Sequence, residues 1–467
     1  MTNATEREQE RIRTVNRLLH GACRPLRILR TVAWAPEVKE TFLAQGAREL
    51  PDVTYAAFDP APTIEAVREA RRRIVPVTTI DLWLDRQANA IELSARMLAA
   101  VGTTGFFEYG RQLYGEPTAP LRYVPITPLD LAQSVLDTIR NLDHIALNTA
   151  PPSYHTAEEV AENLGQAVRT QFGDRAPAIE LVDRLSANAL ATSRAIRIRR
   201  GARFTDRDCI QLLHHEAYIH VATSLNGQAQ TDLPLLAAGH PGTTRTQEGL
   251  AVFAEVISGS IELDRLRRLA DRVLAIQMAI DGADFLEVYR YFMERTDDPD
   301  QSFENARRVF RGGVITGGAP FTKDLVYLFG LLQVDNFIRA GFAAGRADCL
   351  HLLFCGKLDL FDIPALCELY ALGLCRPPRF LPPWISDPRY LLAMLTFSVF
   401  TSRVSLEPIV DVARKLLDSA PMVRMPVNEP ERVMSSAWAV PIERRPIAGY
   451  PDVALQQTHG ADRVSAP

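Results

Sequence analysis

Residues 211–227 read Gln-Leu-Leu-His-His-Glu-Ala-Tyr-Ile-His-Val-Ala-Thr-Ser-Leu-Asn-Gly. The run His215-Glu216-Ala-Tyr-Ile-His220 is one residue longer than H-E-x-x-H, the zinc-protease signature that puts two histidines on one helical face. On an ideal α-helix, positions four apart differ by roughly 40° around the axis, and positions five apart by roughly 140°. Two imidazoles can meet one tetrahedral ion in the first case and not in the second. A local widening to i→i+5 bonding absorbs the extra residue, and such π-type segments recur at functional sites. The spacing therefore predicts a π-widening between His215 and His220, or else three histidines that only happen to be neighbours. His214 paired with His220 would face the other way, so it is read as supporting or structural.

The flanks place this stretch mid-helix. Thr205 followed by Asp208 is a capping box, and Asn226-Gly227 reads as the stop. Before it, residues 176–204 alternate apolar and polar side chains, most clearly from Ala195 to Arg200. This predicts a small sheet of two strands, with 195–200 read either as an edge for an extended peptide or as an ordinary sheet strand. After it, a second helix is expected from Thr244–Thr246 through TQEGLAVFAEVIS.

A catalytic zinc usually takes three protein ligands and keeps one position open. Glu248 of the second helix is the third candidate, placed in the first turn where the helix dipole favours a carboxylate. Gly249 beside it allows another backbone, or the metal, to approach closely. Glu255 reads either as a group that orients a ligand histidine or as an exposed salt-bridge residue. The expected cofactor is one Zn²⁺ per chain, on His215, His220 and Glu248. Glu216, next to the first ligand, is the expected general base.

The 467 residues fit two or three domains, or one large catalytic unit with appendages. The net charge of −4 gives no reason to expect nucleic acid or an acidic membrane as partner. No apolar run is long enough to span a bilayer, and MTNATEREQERIR is unlike a secretory signal. Six cysteines without a C-x-x-C pair read as reduced, buried residues of a cytoplasmic protein. Cys349-x-His351-x-x-x-Cys355 can be drawn as a metal cluster, but its leucine-rich setting favours packing. Lysine is rare: Lys39, Lys323, Lys357 and Lys415 stand against a strong arginine bias, which suits a GC-rich bacterial coding sequence.

The fold class expected is α+β and mainly helical. Residues 1–75 read as a mixed N-terminal segment, 76–420 as the catalytic domain, and 421–467 as a loosely ordered, proline-rich tail. Thr127 and Pro128 open one of the helices of the middle region. A glycine-rich loop at 311–321 interrupts the helices of the C-terminal half.

In order, HHEAYIH (214–220), NGQAQ (226–230), TQEGLAVFAE (246–255) and RGGVITGGAPFTKDLVYLFG (311–330) carry a resemblance. The chain resembles the bacterial QEGLA-motif proteins, labelled flavohaemoglobin expression-modulating proteins, whose eukaryotic relatives are the microtubule-associated tyrosine carboxypeptidases. The resemblance implies a gluzincin-like metallopeptidase core, with metal on His215, His220 and Glu248 and catalysis by Glu216. It also implies cations that hold a substrate's terminal carboxylate, for which Arg311 and Lys323 are the candidates. The residue-level alternative for Lys323 is an ion pair with Asp324 or a helix cap. Tyr327 is read as an oxyanion donor or as a core residue. The function expected is removal of C-terminal residues from a peptide or protein. The alternatives are a non-catalytic regulatory protein that keeps the metal site and a zinc hydrolase acting on a non-peptide amide.

Overall fold

Capping boxes start the helices where the sequence marks them. Thr127 accepts from the Asp130 backbone N–H, and Thr205 accepts from that of Asp208; both aspartates reach back to the cap N–H. A computed structural model of the chain describes residues 2–403 except 76, 122, 123, 143–153, 184, 186 and 187, together with 410, 412 and 414–416. The expected tail, 421–467, lies outside the described residues.

The described chain is mainly helical with a small sheet, an α+β fold. The sheet has three strands rather than two. Ala195–Arg199 lies in the middle, parallel to Ala178–Val182 and antiparallel to Ala189–Ala191. The central strand buries Ile196 and Ile198 and leaves Arg197 outside, where it pairs with Glu180 of the neighbouring strand at 2.9 Å. Each buried isoleucine contributes about 1.5–3 kcal/mol. Of the two readings for 195–200 the ordinary sheet strand holds and the edge is corrected, because both its sides are hydrogen-bonded. The edges are Ala178–Val182 and Ala189–Ala191, and the second lines a cleft. Beside that second edge, Asn188 and Thr192 bond to the central strand, so alternation turns the backbone groups of Ala189 and Ala191 outward.

The histidine-bearing helix crosses behind this sheet. It begins as Asp206–Gln211, widens to a π-helix over Leu212–Val221, and returns to α-helix at Ala222–Gln228. Leu213, Ala217, Tyr218 and Val221 pack into the core beneath the sheet, while Ile219 enters the main helical core. Asn226 and Gly227 do not stop the helix. The Asn226 amide donates to the carbonyls of Phe354 and Phe380 and accepts from the N–H groups of Arg379 and Phe380. A Cβ at Gly227 would lie 2.3 Å from the Leu236 carbonyl oxygen. These residues dock later segments onto the helix.

The second site helix, Pro241–Ile257, packs along Leu325–Ala343. They meet at two glycines: a Cβ on Gly249 would lie 2.4 Å from the Gly330 carbonyl carbon, and one on Gly330 would lie 2.3 Å from the Arg245 carbonyl oxygen. The backbone that needs Gly249 is thus Gly330's. The first helix, Thr2–Cys23, places Ile12, Val15 and Leu19 in the core that also holds Leu250, Phe253 and Val326. Among the described residues no helix is long and apolar enough to cross a membrane.

Gly249→Ala should cost about 1–3 kcal/mol or more through overpacking. Gly21→Ala, on an exposed helical position with nothing within 4 Å, should gain about 0.5–1 kcal/mol. Urea unfolding of both variants checks the pair; equal stabilities would remove the crossing from the account.

Candidate metal centre

The π-widening spans ten residues, Leu212–Val221, where the sequence reading asked only for a local defect. Bonding from i to i+5 brings positions five apart onto one face. The His215 and His220 rings accordingly stand with centroids 4.9 Å apart. The Glu248 carboxylate reaches across from the second helix, with Oε2 3.8 Å from His220 Nε2. One donor atom from each of His215, His220 and Glu248 lies within 4.8 Å of the others, and among the described residues this is the one such group.

Zinc bonds of about 2.0–2.2 Å put tetrahedral ligands roughly 3.4 Å apart, so small side-chain rotations would close the group. Two imidazoles and a carboxylate are a donor set that zinc accepts. The supporting bonds fit too. His215 Nδ1 meets Glu255 Oε1 at 2.7 Å; a carboxylate only accepts, so Nδ1 carries a proton and Nε2 is the nitrogen turned to the group. Glu255 is fully buried and takes both arms of Arg265 at 3.0 Å. Glu255 thus both orients the His215 ring and forms a salt bridge, but a buried one rather than the exposed one of the alternative reading. His214 stays out of the group, with its ring edge-on to Tyr218 at 5.1 Å.

The expected reason for Glu248 needs correction. The helix begins at Pro241, not near Thr244–Thr246, so Glu248 is beyond the first turn. Burial alone would raise its carboxyl; Lys323 and the two histidines outweigh that and hold it at about 2. Lys323 Nζ donates to Glu248 Oε1 at 3.2 Å, and neither Asp324 nor a cap is its partner. Asp324 instead takes both arms of Arg308, at 2.6 and 3.2 Å. Arg308 and Lys323 both reach the Tyr327 hydroxyl, at 3.3 and 3.4 Å.

Glu216 lies beside His215, Oε1 to Nε2 3.9 Å. Burial raises its carboxyl above the usual range despite His215, and the Ala191 backbone hydrogen-bonds it. Burial, with His215 and Lys357, drives His220 well below the usual imidazole value and so keeps it neutral.

These groups open into one cleft of about 840 Å³, lined by ten Lys and Arg side chains and six Asp and Glu. The edge residues Ala189 and Ala191 line it too. The cleft is basic in a chain whose net charge is −4. Arg311 is buried in it with an unpartnered Nε and, among the described residues, no carboxylate within 4 Å. Burial and Arg308 push it down to about 10. Arg265, Arg272, Arg308 and Lys357 are cleft residues that sequence reasoning missed. The arginine bias hid the first three. Lys357 carried the same signal as Lys323, rarity, and its ammonium caps the His220 carbonyl and the Thr223 hydroxyl at 3.2 Å each.

The drawn cluster at Cys349, His351 and Cys355 does not form. All six cysteines are free, and Cys349 packs against Cys367, Sγ to Sγ 3.9 Å.

The fold and site define a class: helical α+β proteins in which two successive helices gather two histidines and a glutamate in a basic cleft. Sequence comparison supplies the family. The chain belongs to the microtubule-associated tyrosine carboxypeptidase family, whose model matches residues 40–403. That membership makes it carboxypeptidase-like by lineage. No curated protein matches it.

Asp324 compensates two cations, since Arg272 Nε also lies 3.7 Å from it. Asp324→Asn should cost about 3–5 kcal/mol at neutral pH by leaving buried charge unpaired. Arg308 and Arg272 hold its carboxyl, against burial, far below the usual range. A depressed folded value gives stability that is complete above the ordinary carboxylate pKa of about 3.9 and lost as pH falls. The gap between parent and variant in denaturant titrations should therefore narrow below about pH 4.

Proposed function

We propose that this protein is a zinc-dependent metallopeptidase with a gluzincin-like core, removing C-terminal residues from a peptide or protein in the cytoplasm. We place it in the QEGLA-motif branch of its family, on the segments 214–220 and 246–255. One observation carries the reading: His215, His220 and Glu248 bring a donor atom each within 4.8 Å of one another, beside Glu216. When bound there, zinc would act as a Lewis acid and lower the pKa of its water toward about 7.

The remaining steps belong to the chain. An extended substrate pairs its backbone with the outward groups of Ala189 and with the Ala191 carbonyl, the Ala191 N–H being turned to Glu216. Arg311 takes the terminal carboxylate in its planar fork, with Lys323 adding charge from the Glu248 side. Glu216, its carboxyl raised by burial, accepts a proton from the attacking water and delivers it to the leaving amine. The Tyr327 hydroxyl, already drawn forward by Arg308 and Lys323, donates to the developing oxyanion. Glu255 and Arg265 hold the His215 ring in its tautomer and orientation. A cleft of about 840 Å³ with an exposed strand edge favours a peptide over a small amide.

Elemental analysis should find about one zinc per parent chain and none in His215→Ala. A parent free of transition metal after gentle purification would defeat the hydrolase reading. Mass spectrometry of a peptide library with varied C-termini should show single-residue losses with the parent and none with Glu216→Gln. Internal cuts would instead identify an endopeptidase. Tyr327→Phe should lower kcat by about 10²–10³, the typical cost of one oxyanion donor. An unchanged kcat would return Tyr327 to a packing role.

A further inference from the structure

Four of the six cysteines fall between residues 349 and 375, and they pair off by side-chain contact. Cys355 and Cys375 meet inside the core, both buried. Cys349 and Cys367 meet farther out, Sγ to Sγ 3.9 Å, on the packed helices Ala347–Leu352 and Ile363–Ala371. Cys367 is the one cysteine of the six that is not buried. The charges around this pair are divided. The Arg346 guanidinium lies 4.0 Å from Cys367 Sγ, where a cation favours the thiolate. The Asp348 carboxylate lies 3.8 Å from Cys349 Sγ, where an anion favours the thiol. Burial, with Cys367 and Asp348 adding to it, raises Cys349 to about 11. One sulfur is thus open to solvent beside a cation, and the other is held protonated in contact with it. The two helices also bracket a segment that clamps both site helices. Phe354 gives its carbonyl to Asn226, and Lys357 Nζ donates to the His220 carbonyl. The Leu360 N–H donates to Thr246, on the helix that carries Glu248.

We propose that Cys349 and Cys367 are a hydroperoxide-responsive dithiol, whose disulfide staples the two ends of this clamp. The Cys367 thiolate attacks a hydroperoxide oxygen. The O–O bond breaks, the departing alkoxide or hydroxide takes up the Cys367 proton, and a sulfenic acid remains. The Cys349 sulfur then attacks that sulfur. The S–S bond forms, the S–O bond breaks, and hydroxide leaves as water with the Cys349 proton. The two thiols together give up two electrons and two protons, and the hydroperoxide is reduced by them. A small thiol reverses the bond by exchange. Transient disulfides of this kind are the ones a reducing compartment permits. The bond needs neither metal nor peptide substrate.

Full-length reduced protein, freed of reductant, is treated with a small molar excess of hydrogen peroxide. Mass spectrometry should show the loss of two hydrogens per chain, and fragmentation should place the new bond between Cys349 and Cys367. Cys349→Ser should form no intrachain bond and should leave a Cys367 sulfenic acid that dimedone captures. Cys367→Ser should give neither product. Backbone amides of residues 357–360 should exchange with deuterium about tenfold or more slowly after oxidation, and revert with a small thiol. A first bond between Cys355 and Cys375, a bond between chains, or no bond while free glutathione in the same tube is oxidised overturns the dithiol. A Cys349–Cys367 bond that leaves the exchange unchanged overturns the clamp. Mapping the parent needs no substitution, so it decides the matter even if a serine variant fails to fold.

Discussion

A helix that must turn two residues five positions apart toward one point cannot remain α-helical between them. Most of the site follows from that constraint. Widened turns are rare because they loosen the helix and disturb its ladder where the α register resumes. Here the disturbed end is met by side chains. Thr223 donates to the Ile219 carbonyl, and Ser224 and Lys357 donate to that of His220. Thr223 also meets the Gln247 amide oxygen at 2.8 Å. The wide segment lies between two cores, with Ala217 and Val221 under the sheet and Ile219 in the helical body. Packing on both faces thus holds a backbone form that isolated sequence would not choose.

The second organising element is charge. A glutamate beside two imidazoles, deep in the protein, would tend to protonate. Lys323, in the 3-10 turn Thr322–Asp324 that leads into the helix crossing at Gly249 and Gly330, keeps it ionised. Further out, Arg308 and Asp324 form a fixed pair that points the Tyr327 hydroxyl into the cleft. The cleft is therefore not a basic patch spread over a surface. It is a graded wall in which some cations are matched and others are not.

Much of this was legible in the sequence, for identifiable reasons. The His215–His220 spacing asks for a π-widening if both imidazoles are to meet one ion, and Thr205 with Asp208 sets where the helix begins. Ile196 and Ile198 announce a strand by alternation. What the sequence hid depends on distant partners. Strand order cannot be read from one strand's pattern, so Ala189–Ala191, short and bland, concealed the edge that lines the cleft. Asn226-Gly227 looks like a helix end because the bonds that make it an anchor come from residues 354 to 380. Glu248 looked like a dipole-stabilised residue because Lys323, 75 positions later, is invisible locally. Glu255 left two readings open until Arg265 and the His215 ring were seen together.

The Asn226 anchor also has a meaning in the order of synthesis. A ribosome releases the histidine helix well over a hundred residues before Phe354, Arg379 and Phe380, the groups that saturate that amide. Throughout that interval the nascent helix lacks both its C-terminal clamp and the Lys357 ammonium that closes the widened turn. The centre therefore completes late in translation, once the chain has passed residue 380. A truncated product that ends earlier would carry every proposed ligand and still lack the frame that aims them.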